Sequence, residues 1–125
     1  MKELAAALLS VAWTVIARPV DAGLADITAA TVKCTATTCT VSATVRHADE
    51  GWQHYADRYE VLAPDGHLLG TRVLQHPHIE EQPVTRTLEG VSIPSSIDRV
   101  RIRAHDSVHG FGGAEVNVVV ERPQH

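Results

Sequence analysis

The stretch that decides the fold is Arg99-Val100-Arg101-Ile102-Arg103-Ala104, in which apolar residues alternate with three arginines. Successive side chains of a β-strand point to opposite faces, so this pattern predicts a strand with one apolar and one charged face. The same alternation recurs at residues 39–46 and 116–120. The chain is therefore expected to be built from strands.

Weaker alternation covers four more segments, residues 26–33, 55–63, 68–75 and 84–91. Turn-forming residues separate these runs, for example Pro64-Asp65-Gly66. Seven short strands in about 100 residues are typical of an antiparallel β-sandwich of immunoglobulin or fibronectin type III kind. The prediction is one all-β domain of this kind over residues 23–125.

Residues 1–22 have the layout of a signal peptide. Lys2 precedes a mostly apolar run of fourteen residues, and small or branched residues stand at the −3 and −1 positions of a cleavage site after Ala22. Fourteen apolar residues are too few to cross a bilayer, so no membrane span is expected. The alternatives are a short helix of the folded protein, or cleavage at Ala25. The predicted location is periplasmic or secreted.

The charge of the chain argues against a nucleic-acid partner. The net charge is −4 at pH 7, and the charged residues of segment 1–22 cancel, so residues 23–125 keep that value. A protein without a basic stripe cannot neutralise many phosphates.

Cys34 and Cys39 are the only cysteines of the chain. In a reducing cytosol such a pair would indicate metal or redox chemistry, whereas behind a signal peptide it indicates a disulfide. The spacing differs from that of a thioredoxin-like pair, and Lys33 is the one basic residue close enough to lower a thiol pKa. We therefore predict a structural bridge across a tight strand connection.

Histidines concentrate between the strand-like runs. In an up-and-down strand order, residues 47–54, 75–83 and 105–113 come to the same end of the domain, which is called here the histidine pole. Six of the eight histidines lie in these segments. Because neutral imidazoles are common metal ligands, the pole predicts a metal site. The candidate ligands are His47, His54, His76, His78, His105, His109 and Asp106.

Local patterns agree with this prediction. His47 follows Val45 in the inward register of its strand, and the proline of His76-Pro77-His78 favours an extended backbone with both imidazoles on one side. Each pair taken singly is better explained by solvent-facing or hydrogen-bonded histidines. The convergence of three loops is what favours a metal.

Residue type limits which metal could bind. Residues 23–125 contain no methionine, and the cysteines lie at the far end of a strand from His47. These facts exclude a thioether copper(I) site and a blue-copper centre. Imidazole with carboxylate suits a divalent ion such as zinc, copper(II), nickel or iron(II).

Asp57 and Arg86 are expected to face inward near the pole. Asp57 alternates with Tyr59, and Arg86 lies between two apolar residues of its own register. Inward charges need partners. One interpretation is an Asp57–Arg86 ion pair that stabilises the fold. The other is that Asp57 holds a ligating imidazole in one tautomer.

A family resemblance appears in two patches that together cover about 25 residues. The first patch contains His47, His54-Tyr55 and Asp57-Arg58-Tyr59-Glu60, and the second is Asp106-Ser107-Val108-His109-Gly110. Both patches resemble segments of superoxide reductases, the desulfoferrodoxin-type iron domains. The resemblance implies an immunoglobulin-like fold and an iron site that reduces superoxide, with His47, His54 and His109 as ligands. That family uses four histidines and a cysteine. Here Asp106 stands in the cysteine position, and no histidine precedes His47.

Three functions compete. The leading hypothesis is a secreted domain that binds a divalent metal at the histidine pole. The second is a metal-free module whose loops bind another secreted protein or a small ligand through Trp52, Tyr55 and Phe111, because aromatic residues make good anchors. The third is a redox enzyme of superoxide reductase type. No nucleophile–base pair is recognisable from spacing, and loop histidines alone do not define a general base, so the sequence favours binding over catalysis without deciding between them.

Overall fold

Alternating residues form strands throughout the part of the chain that the computed structural model describes, residues 23–123. The predicted signal peptide and His125 lie outside these described residues. Within them there are seven strands and no helix, so none long and apolar enough to cross a membrane. The strands are β1 (Asp26–Thr35), β2 (Thr38–Arg46), β3 (Ala56–Leu62), β4 (Leu68–Val73), β5 (Val84–Ser92), β6 (Arg99–Asp106) and β7 (Val116–Glu121). The all-β prediction is confirmed.

The strands form one mixed sheet in the order β4-β3-β6-β7-β1-β2-β5. Neighbours run antiparallel except β7 and β1, which pair in parallel at Val32–Val120 and Lys33–Glu121. The prediction of a wholly antiparallel arrangement is corrected at this junction. The expectation of two separate sheets is not confirmed, because β7 pairs with both β6 and β1 and so joins the two halves.

The sheet curls until its two edge strands approach each other. Arg72 on β4 donates from Nε to the carbonyl oxygen of Thr87 on β5 at 2.8 Å. Gly70 lies so close to β5 that a Cβ atom there would come 3.0 Å from the Leu88 side chain. The result is a nearly closed, barrel-like shape with the apolar side chains inside.

The core contains the faces that the alternation predicts. Val100, Ile102 and Ala104 are at most 2% exposed, and the arginines between them point outward. Tyr59 crosses this core from β3, and its hydroxyl donates to the carbonyl oxygen of Arg86 on β5 at 2.9 Å. Burial raises the pKa of Tyr59 to about 12, although the nearby positive charge of Arg72 opposes the shift. The hydroxyl therefore keeps its proton and its bond across the core.

The predicted disulfide is present. Cys34 on β1 and Cys39 on β2 are bonded, and they face each other in the strand register on either side of a tight turn. Both are buried. The bridge lies where β2 begins, whereas His47 follows the residue where β2 ends. The disulfide and His47 therefore lie at opposite ends of β2, as predicted.

Candidate metal centre

His47 continues the inward face of β2 beyond the end of the strand. Val41, Ala43 and Val45 point into the core, and His47 follows them with its imidazole fully buried. Its Nδ1 lies 2.6 Å from Oδ1 of Asp49. Its Nε2 lies against Oδ2 of Asp106 yet forms no hydrogen bond with any described residue. Nδ1 is therefore held by a carboxylate, whereas Nε2 is buried and forms no hydrogen bond with the described residues.

His54 is brought to the same place by a tight turn. The amide of Glu50 donates to the carbonyl oxygen of His54 at 2.8 Å, and the amide of His54 donates to that of Gly51 at 3.1 Å. Gly51 has a φ of 121°, a conformation that other residues rarely adopt. The His54 ring has Nδ1 2.6 Å from Glu50 Oε1 and Nε2 2.7 Å from Asp106 Oδ2. It thus repeats the arrangement of His47.

Asp106 is the shared partner of both rings. Asp106 is the last residue of β6 and is completely buried. It also begins a short loop, which is closed by two backbone hydrogen bonds between Asp106 and Gly110. Its Oδ1 accepts hydrogen bonds of 2.7 Å from the amides of Val108 and His109, which leaves Oδ2 for the two rings. Burial alone would raise the pKa of Asp106, but these amides and the two histidines outweigh it and lower the pKa. The side chain is therefore a carboxylate.

The donor atoms of these three residues fit a cation. Potential ligand atoms of His47, His54 and Asp106 all lie within 4.8 Å of one another. A carboxylate oxygen only accepts, so each Nδ1 that faces Asp49 or Glu50 must carry a proton. In a neutral ring, Nε2 then bears a lone pair, and both lone pairs point toward a negative oxygen. The repulsion between these lone pairs and the carboxylate oxygen is removed if each ring gains a second proton. It is also removed if one metal ion is shared by all three groups.

The pKa of His54 is raised, which favours a second proton on this ring when no metal is bound. The hydrogen bond with Glu50 raises it, burial opposes the rise, and Asp106 adds to it. In the metal-free protein this ring therefore holds a second proton up to a higher pH than an ordinary histidine. A metal ion would have to displace that proton from Nε2.

His109 lies at the rim of the group. Its Nδ1 is 3.3 Å from Asp106 Oδ1, its ring centre is 5.0 Å from that of His54, and its side chain is 45% exposed. Gly23 packs against the imidazole so closely that a Cβ atom there would come 2.6 Å from Cε1. His109 is therefore close to the group and in reach of solvent.

His105 is not part of the group. It neighbours Asp106 on β6 and so points to the opposite face, where its Nδ1 lies 2.7 Å from Asp57 Oδ1 and its ring contacts Phe111. The inward position predicted for Asp57 is wrong, because an irregularity in the β3–β6 register between Ala56 and Arg58 breaks the alternation. Asp57 does hold an imidazole, but not one of the converging pair.

His76 and His78 form a second pair with different surroundings. Their ring centres are 4.6 Å apart, and Nε2 of the buried His78 lies 3.2 Å from the guanidinium of Arg86. Arg86 shares a face with Val84 and Leu88 as predicted, but it contacts His78 and not Asp57. Burial, then Arg86 and His76, lower the pKa of His78. This pair lies beside a positive charge and outside the converging group.

Three residues of the site were missed by the sequence reasoning. Asp49 and Glu50 hold the two rings, and Gln82 accepts from the amide of His47 through Oε1 at 3.0 Å. A signal for Asp49 existed, because the inward register of Val45 and His47 reaches it next and the side chain is buried. Nothing comparable marks Glu50 or Gln82, whose contacts depend on turn geometry.

Comparisons with known proteins identify a partial relative. No family model and no solved structure matches the chain. A relative from Halomicrobium mukohataei, described as "Putative lipoprotein", is 39% identical over 80 residues. The match covers 64% of this chain and 39% of the relative, so the chain spans about two fifths of that protein's length. The description names no ligand and no activity.

Proposed function

We propose that this domain binds one divalent transition-metal ion through Nε2 of His47, Nε2 of His54 and Oδ2 of Asp106. The observation that carries the proposal is the orientation of the two rings: each Nδ1 faces a carboxylate, and each Nε2 faces the same buried oxygen. An outer carboxylate on one ring nitrogen is the usual arrangement of histidines that ligate through the other. His109 at the rim is proposed as a further ligand.

The ligand types favour zinc, copper(II) or iron(II). Two imidazoles and one carboxylate suit these borderline ions better than calcium or magnesium, which prefer oxygen ligands. The three groups fill fewer positions than these ions require, so His109 or water completes the set. The partly exposed His109 marks the side on which an ion enters.

The proposed setting is an exported protein with an immunoglobulin-like fold. The disulfide and the relative described as a lipoprotein support a periplasmic or extracellular location, to which residues 1–22 would direct the chain. In that fold, the strand groups β1-β2-β5 and β4-β3-β6-β7 would be the two layers, joined through the short parallel pairing of β7 and β1.

A protein-binding role is the second candidate. Trp52 is 68% exposed, Val108 57% and Ile79 61%, and all three stand in the loops of the histidine pole. Phe111, by contrast, is covered by Arg103, whose guanidinium carbon lies 3.8 Å from the ring centre. Exposed apolar side chains grouped at one end favour contact with a partner.

Superoxide reduction remains the third candidate and rests on the resemblance alone. Asp106, in the position of that family's cysteine, offers a carboxylate, and both cysteines of the chain are bonded to each other. Iron bound here would therefore lack a thiolate ligand.

The metal proposal is tested by titrating zinc into metal-depleted protein purified without a histidine tag, in competition with a chromophoric chelator. We expect about one equivalent bound by the unaltered protein and a much lower zinc affinity in His47→Ala, because one ligand is lost. His67→Ala is the matched control, because His67 is a highly exposed histidine of the turn at the opposite end. Zinc, copper(II) and iron(II) all failing to bind would reject the metal site and favour the protein-binding role.

A further inference from the structure

The connection between β2 and β3 places two acidic residues side by side, and each faces a different histidine. Asp49 Oδ1 lies 2.6 Å from Nδ1 of His47, and Glu50 Oε1 lies 2.6 Å from Nδ1 of His54. The same eight-residue segment, 47–54, therefore contains both rings and both carboxylates. The two carboxylates differ sharply in burial, which lets their roles be separated.

Asp49 is a buried anion whose two oxygens accept three hydrogen bonds. Oδ1 accepts from Nδ1 of His47 and, at 3.0 Å, from the amide of Ala56. Oδ2 accepts from the amide of His78 at 2.7 Å. A buried carboxylate needs such donors. Asp49 thus connects the imidazole of His47, at the end of β2, to the backbone at the start of β3 and to the loop of residues 75–83.

The loop of residues 75–83 supports the same ring from a second side. Gln82 accepts from the amide of His47 through Oε1 and donates from Nε2 to the carbonyl oxygen of His78 at 2.8 Å. The contacts of this loop with His47 and Asp49 are therefore made by backbone groups and by Gln82. The imidazoles of His76 and His78 are not needed for them.

Glu50 is 60% exposed and holds His54 from the solvent side. Its carboxylate therefore orients the ring without being part of the core. Replacing it should disturb the ring and leave the fold intact.

We propose that Asp49 and Glu50 are the positioning residues of the metal centre. Each fixes the Nδ1–H tautomer of one histidine, so that the Nε2 lone pairs of His47 and His54 are aimed together at the ion beside Asp106. The inference rests on the proposed function. Outer carboxylates of this kind also increase the basicity of the ligating nitrogen.

The two carboxylates call for different substitutions. Glu50→Gln keeps an oxygen that accepts from Nδ1 but removes the charge, whereas Glu50→Ala removes both. Asp49→Asn introduces an NH₂ group where every neighbouring group is a donor, so it breaks at least one of the three bonds. Glu89→Gln, on the exposed part of β5, and Asp65→Asn, at the turn beside His67, are matched controls.

The experiment combines zinc titration with nitrogen-15 NMR of the histidine rings. We expect zinc affinity to fall about 10- to 100-fold in Glu50→Ala and in Asp49→Asn, less in Glu50→Gln, and to stay unchanged in the controls. In the zinc-bound unaltered protein, both rings should carry the proton on Nδ1 and bind through Nε2. A merely structural role would not fix this tautomer.

The outcomes separate the two proposals. If the unaltered protein binds no zinc, the metal site itself fails and this inference fails with it. If it binds zinc but Glu50→Ala keeps full affinity, or the rings bind through Nδ1, the metal site stands and the positioning role is overturned. Circular dichroism of each metal-free variant identifies loss of fold. Because Glu50 is exposed, its variants decide the role of Glu50, and the ring tautomer of His47 in the unaltered protein decides that of Asp49 even if Asp49→Asn unfolds.

Discussion

The histidine pole contains two pairs of imidazoles that look alike in sequence and differ in what surrounds them. The rings of His47 and His54 are 5.0 Å apart, and those of His76 and His78 are 4.6 Å apart. Carboxylates face the first pair, whereas a guanidinium faces His78. Closeness of imidazoles is therefore not sufficient for a cation site. The charge of the neighbouring side chains decides which pair is suited to an ion.

The pKa values of His54 and His78 shift in opposite directions, in agreement with the charges beside each ring. The pKa of His54 is raised, mainly by its hydrogen bond with Glu50, and that of His78 is lowered by burial, Arg86 and His76. The environment of His54 favours a positive charge on the ring, whereas that of His78 disfavours one, first because the ring is buried and then because Arg86 lies beside it.

The largest effect is expected from removing the first pair. His47→Ala with His54→Ala should lower zinc affinity by more than the roughly 100-fold that losing an outer partner costs, because two ligands are lost. His76→Ala with His78→Ala should lower it by less than about 10-fold, since the backbone amide of His78 still donates to Asp49. Competition titration measures both, and equal losses would remove the distinction between the pairs.

The next effect concerns pH. A protonated ring cannot ligate, and the raised pKa of His54 means that proton competition begins above the ordinary value of 6.5. Zinc affinity should therefore be greatest at alkaline pH and fall as pH decreases, by about tenfold per pH unit for each ligating histidine that becomes protonated. Zinc titrations between pH 8 and pH 5 check this. An affinity independent of pH would mean that the imidazoles are not ligands.

A smaller effect is expected from changing the neighbour of the second pair. Arg86→Gln removes the guanidinium beside His78, so the pKa of His78 should rise toward the ordinary histidine value while burial keeps part of its lowering. The pKa of His54 should not change. NMR titration of the metal-free protein measures both rings, and Arg72→Gln, at the β4 edge, is the control. An unshifted His78 would show that Arg86 does not set its environment.

The smallest effect on the site is expected from the opposite end of the domain. Cys34→Ser with Cys39→Ser should reduce the free energy of unfolding by about 2 kcal/mol, because the bridge closes only a short loop. Zinc affinity should stay the same, since the bridge lies at the other end of β2. Chemical denaturation and zinc titration measure the two quantities. Loss of zinc binding in a folded variant would show that the two ends are coupled.

Strand positions and the histidine pole could be predicted because both depend on alternation along the chain. The register of β2 pointed to His47, and the ends of the strands brought residues 47–54 and 106–109 together. The closure of the sheet through β7 and β1 could not be predicted, because a parallel pairing of two residue pairs leaves no periodic trace.

The partners of individual rings could not be predicted either. His105 and Asp106 are adjacent in sequence, and only the strand register decides which of them faces Asp57 and which faces the other histidines. A single irregularity beside Asp57 changes the face of that residue. Contacts of this kind are set by the fold as a whole.

The contact between His54 and Asp106 joins residues 52 positions apart, whereas the disulfide joins residues 5 positions apart. The entropy lost on closing a loop grows with its length, so an ion held by both residues would restrict the chain more than the covalent bridge does. An ion bound to the folded protein would therefore add to its free energy of unfolding. In the proposed exported setting, where proteases attack transiently opened chains, resistance to proteolysis would then increase with the concentration of free metal.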